Sequence, residues 1–314
     1  MIMLKTKIII SGGNGFVGSN LKKYLLSLGC AVKLLDWKQF SGFEELKETE
    51  KSRIIDDFRS EFEGFKCFIH CAGIAHKEKK QQFEDYYKSN VLLTINMLEF
   101  TETLGISKFI FLSSANVLGK VNFGYPFNGL SEPKPYDSYS ESKLLAEDYL
   151  IKHCQRSDIQ ACIIRCPIII GPKVKGNFRF LLKLASLRVP IPFKGISAKR
   201  SILGIKNLCC FLHCLIETNK DVSGVFLLSD SKSLTLTEMI AFLRQQLGLK
   251  TLNIRLPKIL VIIFMSCLGK AELAKTIYSD CEIDPRETYQ YFGWRPPDNV
   301  EESLKSSLQS HHSI

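Results

Sequence analysis

The segment Tyr139-Ser140-Glu141-Ser142-Lys143 sets a phenol and an ammonium four residues apart, and no other Tyr-x-x-x-Lys occurs in the chain. On an α-helix these two side chains stand one above the other on the same face. A neighbouring cation favours the phenolate, lowering the tyrosine pKa from about 10 toward the working pH. Such a group moves a proton to or from a sugar hydroxyl, the acid/base half of hydride chemistry. The spacing alone is a weak sign, because a surface helix produces it by coincidence. Its surroundings carry the argument.

A cofactor cradle is the first requirement. Lys7 to Ile10 reads as a short β-branched strand that meets Ser11-Gly12-Gly13-Asn14-Gly15-Phe16-Val17-Gly18, followed by a helical pattern of leucines. In either frame, Gly13-x-Gly15-x-x-Gly18 or Gly12-x-x-Gly15-x-x-Gly18, one glycine allows the tight turn, one the approach of backbone to a pyrophosphate, and one close helix packing. A second strand, Ala31 to Leu35, ends in Asp36, eighteen residues past Gly18, where a carboxylate accepts hydrogen bonds from an adenosine ribose. Asp36 repels a 2′-phosphate and so favours NAD over NADP, a preference softened by Lys38.

Further strands are expected at Arg53 to Ile55, Cys67 to Cys71, Lys108 to Ser113 and Gln160 to Arg165, separated by helical patterns. That alternation predicts an α/β fold, a doubly wound parallel sheet of Rossmann type. Ligands then lie beyond the carboxyl ends of the strands, which puts Gly12, Asp36, Asp57, Ala72-Gly73 and Ser113-Ser114 on one rim. Tyr139 opens the helix after the Ser114 strand and a long loop, Ala115 to Ser138, whose length suggests function. Beyond Arg165 the alternation turns irregular, so residues 1–165 are expected to bind the cofactor and 166–314 to form a smaller mixed α/β substrate lobe, with the return of strands from it to the main domain left open. That lobe is expected to hold one strand, Val225 to Leu228, and helices at Thr237 to Leu247, Arg286 to Phe292 and Val300 to Leu308. The Gly293-Trp294 turn is expected to dock by its tryptophan, and His311-His312 to be a frayed tail.

With 314 residues, 45% of them apolar, the chain suffices for one large domain or two smaller ones. Its first residues lack the apolar core of a secretory signal, so a cytoplasmic protein is expected. Eleven cysteines, mostly in apolar surroundings, fit buried reduced thiols. Cys209-Cys210-Phe211-Leu212-His213-Cys214 has no matching ligand pair elsewhere, so no metal is expected. The longest apolar run, Ile259 to Leu268, is too short to cross a bilayer, which takes about 20 residues, and reads as a core helix, with an interfacial helix as the alternative.

The net charge of +10 is concentrated. Ten basic residues and no acid lie between Ile159 and Ile216, whereas the remaining residues carry 32 of each sign. An anionic ligand is expected there. Nucleic acid is not, because the stretch lacks an aromatic-interleaved recognition motif.

Together, the glycine loop, Asp36, Asp57-Phe58, His70-Cys71-Ala72-Gly73, Tyr86-Tyr87-x-x-Asn90-Val91, Ser113-Ser114, Tyr139-x-x-x-Lys143 and Arg165-Cys166-Pro167 resemble the extended short-chain dehydrogenase/reductases, specifically the NAD-dependent epimerase/dehydratase branch acting on nucleotide sugars. The resemblance spans nearly the whole chain. It implies that Ser114 holds the reacting oxygen, Tyr139 moves its proton, and Lys143 tunes Tyr139 and holds the nicotinamide ribose. It also implies NAD contacts from Gly12, Gly15, Phe16, Val17, Gly18, Asp36, Asp57, Phe58, Ala72, Gly73, Asn90 and Cys166, and substrate contacts from Ser114, Asn116 and Tyr139. Asn177, in Gly171 to Phe178, and Arg200, in Lys199-Arg200-Ser201, match segments that hold a sugar diphosphate in UDP-sugar 4-epimerases and 4-keto-reductases. Both lie in the acid-free stretch.

Ala115-Asn116 replaces the acid pair of the family's sugar dehydratases, which disfavours dehydration. Val117-Leu118-Gly119 stands where Val-Tyr-Gly is common. Lys206-Asn207 stands where many relatives have Asp, a change expected to loosen the second lobe or alter substrate choice. The leading reading is a 4-epimerase of a UDP-hexose or UDP-N-acetylhexosamine, acting through a 4-keto intermediate. The alternatives are a 4-keto-reductase of a UDP-6-deoxyhexosulose, a 4-epimerase of a polyprenyl-diphosphate-linked sugar at a membrane surface, and a dinucleotide sensor without turnover. A homodimer through the helices including that of Tyr139 is common in the resembling family.

Overall fold

A computed structural model describes residues 6–36, 50, 59–75, 82–122, 124–251, 254–269, 274 and 276–309. Asp57, Phe58, Lys38, the expected strand Arg53 to Ile55 and the His311-His312 tail lie outside them.

The chain divides into two compact units that interleave in sequence: residues 1–117, 133–165 and 209–226 form the first, and 118–132, 166–208 and 227–314 the second. In the first, β1 (Lys7–Ser11) runs into α1 (Phe16–Ser27) and β2 (Ala31–Leu35). Then come β3 (Cys67–His70), α2 (Phe83–Tyr86), a π-helical turn (Tyr87–Leu92) and α3 (Leu93–Thr103). β4 (Lys108–Ser114), α4 (Ser138–Cys154), β5 (Gln160–Cys166), α6 (Ile205–Glu217) and β9 (Gly224–Leu227) complete the sheet and its crossover.

The six strands lie in the order β2-β1-β3-β4-β5-β9. β1 pairs in parallel with both β2 and β3, and β3 with β4. The chain therefore passes from β1 to β2 on one side and crosses back to β3 on the other, and this change of direction leaves a crevice at the carboxyl end of β1. β3 is buried at every position, as β4 is beyond its first residue, which is why they read as continuous apolar runs rather than alternating ones. Phe68 and Phe109, register partners on β3 and β4, stack at 5.4 Å, and Phe100 of α3 meets Phe62 edge-on at 5.7 Å.

β9 is a strand returned to the main domain: overlapping the expected Val225 to Leu228 run, it closes the main sheet beside β5. Four apolar residues specify a strand without specifying its partner.

The second unit holds β6 (Ile168–Ile170), α5 (Gly176–Ser186), β7 (Lys199–Arg200), β8 (Ile202–Gly204), β10 (Leu234–Thr235), α7 (Leu236–Gln246), α8 (Lys258–Cys267), α9 (Arg286–Phe292) and α10 (Val300–Ser306). Two small sheets, β6 with β8 and β7 with β10, were not foreseen, being two or three residues long. Trp294 is buried and meets Tyr289 edge-on at 5.5 Å, as expected of a docked turn. Asn207 is tied into this unit by hydrogen bonds. Buried at the start of α6, it donates to the Asp230 carboxylate (2.8 Å) and the Asp298 carbonyl (2.9 Å), and accepts from the Asp298 N–H (3.0 Å). Burial pushes the Asp230 carboxyl pKa up, against the bonds from Asn207, Ser303 and Gly204 that lower it.

The face of α4 that packs on the first unit carries Lys143, Ala146, Glu147 and Leu150, a helical stripe containing two charged residues. Glu147 is matched by Arg165 of β5, whose guanidinium makes a forked contact with both carboxylate oxygens (2.6 to 3.2 Å). Glu147→Ala leaves that guanidinium buried without its partner. A loss of roughly 3–5 kcal/mol is expected, read as a lower urea midpoint at unchanged m-value.

Candidate active site

The carboxyl ends of β1, β3 and β4 and the first turns of α4 bring most of the candidate residues of the first unit together. Gly12 has a left-handed φ of 73°, and a Cβ there would lie 2.6 Å from the Ala72 backbone nitrogen. A Cβ on Gly18 would collide with the Gly12 carbonyl oxygen. The glycine loop is thus pressed against the end of β3, and Phe16 and Val17 open α1 with their backbone N–H groups at its positive end. Asp36 directly follows β2 and is exposed.

These features fit a dinucleotide. The backbone is bare where a pyrophosphate needs close approach, and a carboxylate stands at the ribose position.

Asp137 caps α4 by accepting from the Ser140 N–H (2.8 Å), which fixes Tyr139 as the helix's second residue and Lys143 one turn on. Lys143 is buried. Its ammonium lies 4.4 Å from the centre of the Phe111 ring and donates to the Leu112 carbonyl (2.9 Å). Tyr139 is half-buried, its ring 6.2 Å from that of Tyr86. Gly73, with φ 145°, leaves room for Asn90 and Lys143: a Cβ there would sit 2.7 Å from Asn90 Oδ1 and 3.6 Å from Lys143 Nζ. Ser114 is buried at the end of β4 and accepts from the Asn116 N–H (3.2 Å). Ser113 beside it donates to Glu147.

A buried polar chain links these parts. Asn90 Oδ1 accepts from the Ile74 N–H (2.8 Å) while Nδ2 donates to the Ile74 carbonyl (3.0 Å) and the Ser142 hydroxyl (2.9 Å). Ser142 in turn donates to the Tyr139 carbonyl (2.8 Å). Thr94 donates its only hydroxyl proton to the Asn90 carbonyl (2.6 Å), so it accepts from His70 Nε2 (3.1 Å), and His70 Nδ1 accepts from Ser11 (2.6 Å). His70 is therefore the neutral Nε2–H tautomer. Sequence reasoning read His70 only as part of a motif and missed Thr94, Ser142 and Glu147. Each is an ordinary polar residue in an apolar run, and only its partner gives it a role.

In the second unit, Cys166 ends β5 and is buried, and Asn177 is exposed in the first turn of α5. The turn before it holds Lys173 at a left-handed φ of 64°, conformationally costly for a residue with a Cβ. Arg200 is half-buried and donates through Nη2 to the Thr276 carbonyl (2.6 Å). The acid-free stretch is partly matched by acids from elsewhere in the chain: Arg165 by Glu147, and Lys206 by Asp298 (2.5 Å). No group of three metal-ligating residues occurs among the described residues.

A Rossmann-type sheet with a glycine cradle and a Tyr-Lys helix at its rim defines a dinucleotide-dependent enzyme. Residues 8–227 match the NAD dependent epimerase/dehydratase family, and the chain belongs to it; NAD is its cofactor. It is 30% identical over 313 residues to a UDP-glucose 4-epimerase of Vibrio cholerae, a match covering 96% of this chain and 94% of that protein. The UDP-glucuronic acid 4-epimerase of Bacillus cereus in complex with NAD superposes with a TM-score of 0.73 at 18% identity, covering 97% and 96% of the two chains. The structure of RMD from Pseudomonas aeruginosa complexed with NADPH gives 0.74 at 19% identity, covering 99% and 100%. These two structural likenesses establish the fold.

Burial, followed by the charge of Lys143, pushes the His70 pKa down to about 3. Below pH 6.5 the unfolded chain binds a proton on His70 that the folded chain refuses until about pH 3. Stability from this group is full above pH 6.5 and declines as pH falls through that window. Replacing it, as in His70→Gln, should flatten the fall between about pH 6 and 4.5 by up to about 1.4 kcal/mol per pH unit, measured as the wild-type-minus-variant slope of urea unfolding.

Proposed function

We propose that the chain is a 4-epimerase of a UDP-hexose or UDP-N-acetylhexosamine, working through a 4-keto sugar. The observation that carries this reading is the 30% identity, across 96% of the chain, to a protein named UDP-glucose 4-epimerase. Asp36, directly after β2, agrees with NAD, which an internally balanced oxidation and reduction regenerates each turn.

In this reading Tyr139 takes the C4 hydroxyl proton and later returns it, and Ser114 holds the same oxygen. Lys143 keeps a positive charge on the Tyr139 face of α4, which favours the phenolate. One of its three donors is spent on Leu112, which fixes the ammonium. Asn90, through Ser142 and the Tyr139 carbonyl, holds the helix start in place. NAD, when bound, supplies the hydride acceptor and donor. Asn116 touches the sugar, and Asn177 and Arg200 hold the diphosphate. Ala115-Asn116 offers no acid to expel water from the ketone, so the sugar keeps its hydroxyls.

Removing the phenol tests the assignment. Tyr139→Phe should retain NAD and lose roughly 10²-fold or more in kcat. Unchanged conversion of every UDP-sugar accepted by the wild type would remove Tyr139 from the mechanism.

A further inference from the structure

The Ile259 to Leu268 run does not form the core helix expected of it. In α8, Val261 and Met265, one turn apart, are buried, whereas Ile259 and Ile263 on the opposite side are 62% and 51% exposed. A surface helix ordinarily carries charge on that side. The apolar surface extends beyond the helix. Ile254 donates its N–H to the Ile191 carbonyl (3.0 Å) and accepts from the Lys194 N–H (3.2 Å), so the approach to α8 runs beside the segment ahead of β7. Buried Arg244 pins both, donating to the carbonyls of Leu187 and Val189 (2.6 Å each) and of Lys250 (3.4 Å). The Val189 side chain is 50% exposed, and those of Leu187 and Ile254 project into solvent as well.

The charged residues carried by these segments have one sign. Arg188, Lys194, Lys250, Arg255 and Lys258 are all exposed. No acidic residue occurs in residues 159–216 or 239–271. Among the described residues, Arg188, Lys194, Lys250 and Arg255 form no ion pair. A second copy of the chain would bring the same positive rim against itself in a two-fold contact. An anionic lipid surface matches both components at once. We propose that this face of the second unit docks on an anionic phospholipid bilayer, with Ile259, Ile263 and Val189 entering the headgroup–acyl boundary and the basic side chains on the phosphates. At ten residues α8 lies in the plane of the bilayer, and no helix among the described residues is long and apolar enough to cross it.

Sedimentation with vesicles tests this, using the full chain with vesicles of phosphatidylcholine alone or mixed with phosphatidylglycerol, at low and high salt. The protein should pellet with the mixed vesicles at low salt and be released by high salt. Each Lys or Arg near such a surface contributes about fivefold in partitioning. Arg188→Glu/Arg255→Glu and Ile259→Glu/Ile263→Glu should each lower the bound fraction at least roughly tenfold. Lipid-free turnover should not change, because none of these residues belongs to the candidate site. If the isoleucine variant does not fold, the arginine variant decides. Wild-type protein that stays in the supernatant with mixed vesicles, or pellets equally with neutral ones, overturns the proposal. So does a dimer in light scattering that Ile263→Glu abolishes, which would make the face a self-interface.

Discussion

Burial of the Lys143 ammonium is the constraint around which the first unit is arranged. An isolated charge in an apolar interior is costly and persists only when donors and acceptors are fixed around it. Here the Phe111 ring face and the Leu112 carbonyl supply that setting, both from the central strand β4. Burial, and after it the same charge, keep His70 neutral, and a neutral Nε2–H histidine can stand between Ser11 and Thr94 without a second charge entering the core. Glu147, one turn further along α4, is neutralised by Arg165 instead. The helix thus rests on the sheet through two separate polar contacts, one at its chemical end and one at its middle. Asp137 sets where the helix starts and hence where Tyr139 stands.

Local patterns made much of this legible. The Tyr139–Lys143 spacing, the Gly12 to Gly18 loop and Asp36 are each written within a short window, and the structure finds the loop, the helix and the strand end where those windows place them. Long-range partners were not legible. His70 and Thr94, or Glu147 and Arg165, are 24 and 18 residues apart and carry no local signature. β9 is recognisable as a strand, yet its partner β5 is not, since a four-residue run says nothing about its neighbour. β6, β7, β8 and β10 are too short to show a period of two.

The acid-free stretch from 159 to 216 is acid-free in sequence only, since Glu147 reaches Arg165 and Asp298 reaches Lys206. The Lys206-Asn207 departure follows the same logic. Asp230, from a later segment, places a carboxylate against Asn207. The hydrophobic run of α8 misled in the opposite direction, because composition alone does not separate a helix buried on all sides from one with an uncovered face.

The most direct measurement incubates the purified protein with NAD and a panel of UDP-hexoses and UDP-N-acetylhexosamines while recording both the sugar product and absorbance of reduced cofactor. Interconversion of a C4 epimer pair with no net change in NADH is the expected result. Product formed only with stoichiometric loss of NADH, or no conversion of any UDP-sugar by protein that binds NAD, would contradict it.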